Sequence, residues 1–484
     1  MTNERMALFP GRKARVKSMS QGWDYKRSLA ELWRRSSYER GLISDPFGDS
    51  ARAERGLQRM RGLLAALGNP HLNLPAVHIA GSKGKGSTGA FIASAAKEAG
   101  HRVGFYTSPH LHRFPERLAV DGEPLADDAF AAEAQIVAAA ARRLETSEPD
   151  LGQVTTFEML TAMALNAFAR CGCQLAVIEV GLGGRYDSTN VIDPIVSVIT
   201  RIDLEHTAVL GPTYEDIAWQ KAGILRRGVP SVSSPQVPAA AKTIVEAAAE
   251  VGSPLQMAGR DWSWNGTWRS FDAKGPWGTL PNLTLGIPGT HQVENACTAL
   301  AALHVLGAAG ILVPEEAIRT GLASASWPGR FERITDRTRV IVFDGAHTPA
   351  AAGALVEAWR DSEGTVRATV ILGMGADKDP RAFLSALRPL IDHLIVTRAD
   401  SPRAANPDLI ARAAAALGIP HEVQRSVAVA VEAATARDAC PILITGSLFV
   451  VGEGREAFGL AEPDLEWVAL NRGAPTPSHT DSQP

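Results

Sequence analysis

The 484-residue sequence has few cysteines, little excess charge of either sign and no long apolar run. Its four cysteines are Cys171, Cys173, Cys297 and Cys440, and the Cys-Gly-Cys spacing is too tight for the usual zinc pair. We interpret all four as reduced thiols, which predicts a cytoplasmic location. The net charge of -3 argues against a nucleic-acid partner. Because no run of about 18 apolar residues occurs, we also predict no membrane span.

The length exceeds the size at which one hydrophobic core usually stops growing, about 250–300 residues, so two domains are expected. Short β-branched runs alternate with longer amphipathic or Ala-rich runs, which predicts helices on both faces of parallel sheets. Strands are predicted over residues 76–80, 102–107, 174–180, 195–200, 229–233, 339–344, 368–372, 393–397 and 442–445. Helices are predicted over residues 88–99, 127–144, 155–170, 214–224 and 238–251, and between the later strands.

Three segments differ from this alternation. Residues 259–286 are rich in Trp, Gly, Asn and Thr and predict a small antiparallel sheet appended to the first domain. Their tryptophans are interpreted as anchors of a thin sheet, with an aromatic ligand platform as the alternative. Residues 1–37 are interpreted as a frayed basic extension rather than a targeting or interaction arm, and residues 473–484 as a disordered tail.

A glycine-rich segment lies between the strand predicted over residues 76–80 and a helix, and it reads Gly81-Ser82-Lys83-Gly84-Lys85-Gly86-Ser87-Thr88. In this arrangement backbone N–H groups and the helix N-terminus bind phosphates. Lys85 can reach the β- and γ-phosphates, and the Ser87 hydroxyl can ligate Mg²⁺. Gly86 separates the lysine from the hydroxyl residue, which argues against ordinary GTPases and kinases. The alternative is a flexible glycine turn.

Three further polar residues are ambiguous when each is taken alone. Glu179 ends a predicted strand, where a carboxylate either holds a metal or is a paired structural group. His206 follows another strand and would more often be a hydrogen-bonded structural histidine. Lys221 lies at a helix C-terminus, where the helix dipole favours a cation. Spacing by itself assigns none of them to catalysis.

A family resemblance is carried by Glu179-Val180-Gly181-Leu182-Gly183-Gly184-Arg185 followed by Asp187-Ser188-Thr189-Asn190. These residues resemble a signature of the folylpolyglutamate synthase/dihydrofolate synthase family, within the Mur-ligase superfamily. Over residues 38–455 the following segments resemble further family motifs in family order: the glycine-rich segment, Thr107-Ser108-Pro109-His110-Leu111, Glu116-Arg117, Lys221-Ala222-Gly223-Ile224, His291-Gln292 with Asn295, Pro328-Gly329-Arg330 and Asp344-Gly345-Ala346-His347. An ordered set is far more specific than any single motif.

The resemblance implies an α/β fold of two domains. Residues 38–329 would form a P-loop-type parallel-sheet ATPase domain with the small sheet appended, and residues 330–472 a C-terminal Rossmann-like glutamate-ligase domain. The implied activity is ATP-dependent addition of L-glutamate to dihydropteroate, to folate polyglutamates or to both, through an acyl phosphate. We expect a monomer that binds these small molecules and neither nucleic acid nor membrane.

The resemblance also implies a role for particular residues. ATP would be bound by Gly81, Ser82, Lys83, Gly84, Lys85, Gly86, Ser87, Thr88, Asn295, Arg330 and Asp344, with Asn295 near the adenine, Arg330 at the terminal phosphate and Asp344 at the ribose. Two Mg²⁺ ions would be held by Ser87, Glu179, His206 and a carbamylated Lys221. The folate substrate would meet Thr107, Ser108, Pro109, His110 and Arg117. His347 and Ser447 would lie on the glutamate side, and Lys85, Lys221, Arg330 and His347 would be catalytic.

The sequence departs from the family pattern at three places. Ser82-Lys83 stands where Thr-Asn is usual, Glu205 where an Asp commonly precedes the histidine, and Thr348 where an Asn follows the Asp-Gly-Ala-His motif. Lys83 would either tighten ATP binding or disturb the metal site. The alternatives are therefore a Mur-type ligase for another carboxylate substrate, or a degenerate ATP-binding module without ligase activity.

Overall fold

The structure is a computed structural model that describes residues 22–36, 45–336, 339–437 and 440–467. Its α-helices are α1 (Tyr25–Arg35), α2 (Ser50–Ala66), α3 (Lys85–Glu98), α4 (Asp127–Ser147), α5 (Thr156–Arg170), α6 (Thr207–Leu210), α7 (Tyr214–Ala222), α8 (Pro238–Val251), α9 (Thr290–Ala308), α10 (Glu315–Ser324), α11 (Pro349–Glu363), α12 (Pro380–Leu387), α13 (Pro407–Ala416), α14 (Val427–Ala436) and α15 (Leu448–Ala457). None of the helices described is long and apolar enough to cross a membrane.

The strands form three sheets. They are β1 (Ala76–Ala80), β2 (Val103–Tyr106), β3 (Leu118–Val120), β4 (Glu123–Pro124), β5 (Leu175–Glu179), β6 (Val196–Ile199), β7 (Ser231–Ser233), β8 (Leu255–Met257), β9 (Ser263–Thr267), β10 (Ser270–Gly275), β11 (Gly278–Leu283), β12 (Glu332–Asp336), β13 (Arg339–Asp344), β14 (Ala368–Leu372), β15 (Ile391–Val396), β16 (His421–Val423) and β17 (Ile442–Thr445).

The first sheet has the order β4-β3-β2-β5-β1-β6-β7-β8. It is parallel from β2 to β8, and β3 and β4 add an antiparallel edge. Successive residues of a strand point to opposite faces, so Val77 and Ile79 enter the core on the α3 and α9 side. Ala76 enters the opposite core with residues of α4 and α5. The prediction of a parallel sheet covered on both faces is confirmed.

A small antiparallel sheet of order β11-β10-β9 lies beside this layer. Phe271, Leu280 and Leu283 point from it into the same core as α9. Trp262, just before β9, is also buried there. The packing favours the interpretation of the tryptophan-rich segment as an anchored structural sheet.

The second large sheet has the order β12-β13-β17-β14-β15-β16 and is parallel except for the edge pair β12–β13. Helices α11 and α12 cover one face, and α14 and α15 cover the other. This is the Rossmann-like arrangement that the resemblance implied. The predicted boundary near residue 330 falls in the turn between α10 and β12, and it stays a prediction.

The expectation of a frayed segment over residues 1–37 is wrong for residues 22–36. Asp24 caps α1 by accepting a hydrogen bond from the backbone N–H of Arg27 (2.8 Å), and Leu29 and Leu32 are fully buried. Hydrophobic burial therefore holds this helix against the first layer. The remainder of that extension, residues 1–21 and 37, and the predicted tail at 473–484 lie outside the described residues.

The chain after α15 returns to α1. The Tyr25 hydroxyl donates a 2.5 Å hydrogen bond to Asp464 Oδ2, and burial raises the pKa of this tyrosine. The rings of Trp33 and Trp467 meet edge to face with centroids 5.1 Å apart. Residues 464–467 thus belong in space with the first layer, although they follow the second sheet in the chain.

Candidate active site

The site lies at the carboxyl ends of four neighbouring strands, β2, β5, β1 and β6. Ligands of open α/β sheets bind at this edge. The segments that leave these strands carry Thr107, Glu179, the glycine-rich loop and Glu205-His206. Residues far apart in the sequence are thereby collected in one cleft.

The glycine-rich loop is tied to the end of β6 through its first half. Gly81 has φ of +156°, and a Cβ there would overlap the Thr200 side chain, so only glycine fits. The backbone N–H groups of Ser82 and Lys83 donate to the Arg201 carbonyl at 2.9 and 3.0 Å. The sequence assigned all of residues 81–88 to phosphate, but these two N–H groups already have a partner.

Helix α3 begins at Lys85, with Gly84 at its N-cap, and in the described structure no side chain caps it. The first N–H groups of a helix lack intrahelical partners and carry partial positive charge. They are therefore suited to an anion such as a phosphate. The start of α3, rather than the whole loop, is the phosphate-binding element that the geometry favours.

Glu179 is a buried carboxylate beside the lysine of this loop. Lys85 Nζ lies 3.8 Å from Glu179 Oε1 and donates to the Gly81 carbonyl at 3.1 Å. Thr107 donates its hydroxyl to Glu179 Oε2, and the Ser108 N–H lies 3.4 Å from the same oxygen. Burial raises the pKa of Glu179, and the charge of Lys85 opposes this shift. One residue predicted for phosphate, Lys85, and one predicted for folate, Thr107, therefore lie at the carboxylate of Glu179, which is predicted to bind the metal.

Lys221 lies behind the glycine-rich loop. Its Nζ donates to the Gly81 carbonyl at 2.8 Å, and the side chain is buried. Burial, together with the nearby charge of Lys85, lowers the pKa of Lys221 to about 7. A cavity of about 30 Å³, more than the roughly 10–15 Å³ that one water molecule requires, is lined by Lys221, Lys85, Glu205 and His206. An amine that is readily deprotonated near pH 7 thus borders a space for one small group.

The signature segment braces the end of α7, which carries Lys221. Asp187 accepts hydrogen bonds from the N–H groups of Leu182 and Thr189, both at 2.9 Å. Asn190 Nδ2 donates to the carbonyls of Arg185 at 2.9 Å and of Gly223 at 3.1 Å. Asp187 and Asn190 thereby hold the loop over residues 181–190 against the C-terminal end of α7. This role was not predicted from the sequence.

Lys83 forms an ion pair that sequence reasoning missed. Its Nζ lies 2.8 Å from Glu205 Oε1, and His347 Nε2 from the second sheet lies 3.8 Å from the same oxygen. Burial disfavours the Glu205 carboxylate, but His347 and Lys83 outweigh this and lower its pKa. Two departures from the family pattern are therefore partners. They lie 122 residues apart, and no local pattern in the sequence signals the contact.

Arg330 precedes β12 and Asp344 ends β13, the strand paired with it. Arg330 Nη1 donates to the Gly329 carbonyl at 3.3 Å and lies 2.5 Å from where a Cβ on Gly345 would be. Asp344 accepts a hydrogen bond from the Phe331 N–H at 2.8 Å and from the Ala346 N–H at 2.9 Å. Oδ2 thus holds the turn that bears Arg330, and Oδ1 holds the loop that follows β13. A ribose, as the sequence predicts, would have to share them.

Two other predicted residues have defined local contacts. Asn295 is buried against Gly84, where a Cβ would overlap its side chain, and its Nδ2 donates to Gln292 Oε1 at 2.9 Å. Ser447 caps α15 by accepting from the Val450 N–H at 3.1 Å. The structure therefore places Asn295 against the phosphate loop, and Ser447 at the N-terminus of α15, a helix that packs on the second sheet.

The predicted folate segment lies beside Glu179. The Ser108–Pro109 peptide bond is cis. Arg117 Nε donates to His110 Nδ1 at 3.0 Å, which places the ring proton on Nε2. Burial, together with Arg117, lowers the pKa of His110 well below its usual range. The segment therefore presents a neutral imidazole and a buried guanidinium.

Lys378 is a cation of the cleft that sequence reasoning did not single out. It follows β14, its Nζ lies 2.8 Å from Asp377 Oδ2, and it is one of the charges that add to burial in lowering the pKa of His206. The signal that could have found it is its place just beyond a predicted strand, where the same edge rule applies.

The oxygen donors of the cleft determine whether it suits Mg²⁺. Across the described ranges, no three His, Cys, Asp or Glu side chains converge as a metal site would require. Mg²⁺, however, is commonly held by one or two carboxylates together with substrate phosphates and water. The buried Glu179 carboxylate and the Ser87 hydroxyl at the start of α3 fit that requirement. The residues therefore suit an ion that arrives with a nucleotide.

Comparisons with known proteins agree with this geometry. Residues 329–448 match the family model described as Mur ligase, glutamate ligase domain. The chain is 36% identical over 406 residues to the folylpolyglutamate synthase of Lacticaseibacillus casei, covering 82% of this chain and 93% of that protein. It is 39% identical over 357 residues to the dihydrofolate synthase/folylpolyglutamate synthase of Escherichia coli, covering 73% and 80%.

Solved structures are similar over nearly the whole chain. Escherichia coli FolC in complex with DHPP and ADP superposes with a TM-score of 0.77 at 33% identity, covering 90% of this chain and 98% of that one. Mycobacterium tuberculosis folylpolyglutamate synthase complexed with ADP and AMPPCP gives a TM-score of 0.79 at 30% identity, covering 91% and 100%.

Proposed function

Because the chain belongs to the folylpolyglutamate synthase/dihydrofolate synthase family of ATP-dependent ligases, we propose that it joins L-glutamate to dihydropteroate, to reduced folate or to both. The observation that carries the proposal is the buried Glu179, which lies between Lys85 of the phosphate loop and Thr107 of the folate segment. ATP, held at the phosphate loop, would thus lie on one side of the Glu179 carboxylate. The substrate that accepts the phosphoryl group would lie on the other side.

The proposed reaction has two steps. A carboxylate oxygen of the acceptor attacks the γ-phosphorus of ATP. The bond between the γ-phosphorus and the oxygen that bridges it to the β-phosphorus breaks, and ADP is released. The amine nitrogen of glutamate then attacks the acyl carbon, phosphate leaves, and the nitrogen loses a proton. Phosphoryl transfer depends mainly on positioning and charge neutralisation, and these are the roles proposed for Lys85 and Arg330. His347, whose Nδ1 contacts the Gly345 carbonyl at 2.9 Å, would face glutamate.

The proposal includes two Mg²⁺ ions, which would neutralise charge on the phosphates when bound. Ser87 and Glu179 would hold one, and Glu179 and His206 would help to hold the other. Lys221 would add oxygen ligands as a carbamate, formed when its neutral nitrogen bonds to the carbon of CO₂ and loses a proton. The pKa of about 7 that burial gives Lys221 supports this, because the neutral amine is available near physiological pH.

The alternatives are a Mur-type ligase for a different carboxylate and an ATP-binding module without ligase activity. The alternative of a module without ligase activity was based on the extra cation at Lys83. Because Glu205 pairs with that cation at 2.8 Å, the charge beside the phosphates is compensated, which favours an active enzyme. We further propose that the enzyme is monomeric and cytoplasmic, and size-exclusion chromatography tests the first of these.

The test is phosphate release by purified protein with Mg-ATP and L-glutamate, in parallel reactions with dihydropteroate and with tetrahydrofolate. Release with dihydropteroate identifies a dihydrofolate synthase, and release with tetrahydrofolate a folylpolyglutamate synthase. Release in both identifies a bifunctional enzyme. Silence in both reactions, from protein that still binds ATP, would contradict the proposal.

A further inference from the structure

A histidine next to the predicted folate segment joins the first layer to the second sheet. His112 Nδ1 lies 3.1 Å from Glu456 Oε1, and Arg455 Nε donates to His112 Nε2 at 3.1 Å. Only 5% of the His112 side chain is exposed. Because the Arg455 N–H can only donate, Nε2 must accept and the ring proton lies on Nδ1, facing Glu456. One neutral tautomer therefore satisfies both partners.

The same network reaches the turn that bears Arg330. Arg455 Nη1 pairs with Glu332 Oε1, and Glu332 Oε2 accepts the Gly329 N–H at 2.9 Å. Gly329 directly precedes Arg330. Four side chains thus connect the folate segment, helix α15 and the turn that carries the proposed phosphate-binding arginine.

The loop around His112 is also held from its other side. The Glu116 carboxylate accepts from the N–H groups of Leu111 at 2.8 Å, His112 at 3.1 Å and Arg113 at 2.9 Å. A Cβ on Gly452 of α15 would lie 3.1 Å from the Leu111 carbonyl, so loop and helix are in close backbone contact. The segment has little freedom unless these polar contacts break.

We propose that His112 and Arg455 are positioning residues that set the folate segment for the acceptor carboxylate. The inference rests on the proposed function, since it assigns these residues to binding of the folate-type substrate. Neither residue belongs to the glycine-rich loop or to its proposed metal ligands. Helix α15 begins just after its cap Ser447, on the predicted glutamate side, and its last turn contacts the folate segment, so one rigid element positions both sides of the site.

The prediction separates the two substrates. His112→Leu removes both hydrogen bonds, raises the KM for the acceptor and lowers its kcat/KM by about 10- to 100-fold, the loss expected when a substrate shifts by roughly an ångström. The Kd for ATP stays within about twofold of wild type. His112→Gln can accept from Arg455 and donate to Glu456, so it restores most of the acceptor affinity. His421→Leu is the matched control, because within the described ranges the hydrogen bond found for that ring is local, from Nδ1 to the Ile419 carbonyl at 2.9 Å.

The measurements are steady-state KM and kcat for the acceptor that wild type uses, ATP binding by calorimetry, and the thermal midpoint of each variant. Equal losses for ATP and acceptor, failure of Gln to rescue, or an unchanged acceptor KM would each overturn the positioning role. If wild type turns over neither dihydropteroate nor tetrahydrofolate, the proposed function falls and this inference falls with it.

Discussion

Replacing Lys221 by Met is expected to stabilise the fold at neutral pH while abolishing activity. The amine is buried, and its pKa falls from 10.5 to about 7, chiefly through lost hydration. At 1.36 kcal/mol per pKa unit, holding the proton at low pH costs the folded state on the order of 5 kcal/mol. Met replaces the side chain as far as Cε, lacks the amine, and forfeits one hydrogen bond to the Gly81 carbonyl, worth about 1 kcal/mol. That carbonyl keeps its contact with Lys85 at 3.1 Å.

The stabilisation should depend on pH with a definite sign. Between pH 7 and 10.5 the unfolded chain carries a proton on Lys221 that the folded chain lacks, so the wild type gains stability as pH rises. The Met variant has no such gain. Its advantage, on the order of 3–4 kcal/mol at pH 7, should shrink by roughly 2–3 kcal/mol at pH 9.

The assay is urea unfolding of both proteins at pH 7, 8 and 9 in buffers freed of CO₂, with Lys242→Met as the control. Lys242 is 76% exposed, so its replacement should leave the unfolding free energy nearly unchanged. Adding bicarbonate should stabilise wild type and not the Met variant, because only the neutral amine forms a carbamate. A Met variant that is less stable than wild type at pH 7, or a difference that ignores pH, would refute the reasoning.

Three further outcomes are expected. Lys85→Ala should lower phosphate release by at least about 10²-fold with an unchanged circular dichroism spectrum, whereas Lys97→Ala at the exposed end of the same helix should be active; a near-normal rate for the first would defeat the assignment. Arg330→Ala should lose turnover at an unchanged thermal midpoint, since its described hydrogen bond is local; a lowered midpoint would make its role structural. Leu32→Ala should cost about 2–4 kcal/mol of stability by urea unfolding, and Leu72→Ala, 63% exposed, should stay within about 0.5 kcal/mol; equal losses would contradict the packing of α1.

The buried parallel strands were the most predictable part of the fold. The bounds of β1 and β13 were predicted to the residue, because short apolar runs there end in glycine or polar residues. The position at a strand's carboxyl end made Glu179 a candidate, the family resemblance assigned Thr107, and the structure brings the two into contact.

What failed depended on contacts that leave no local pattern. Helix α1 was missed because residues 1–37 were judged as one basic segment, although Leu29 and Leu32 lie one helical turn apart and are buried. The edge strands β12 and β16 are polar or only partly buried, so their pattern is weak. The Lys83–Glu205 pair depends on two loops that meet only after the sheet forms.

The return of the chain to α1 has a mechanical consequence. The chain itself connects the layer built on the first sheet to the second sheet at two places, besides the side-chain contacts of His112: the turn before β12, and the segment after α15 that ends in the Tyr25–Asp464 contact. A body fixed at one point can swivel in any direction, whereas a body fixed at two points turns about the line between them. A rotation of the layers that keeps both connections leaves Arg330, which lies at the first of them, near the axis, so Arg330 moves less than His347.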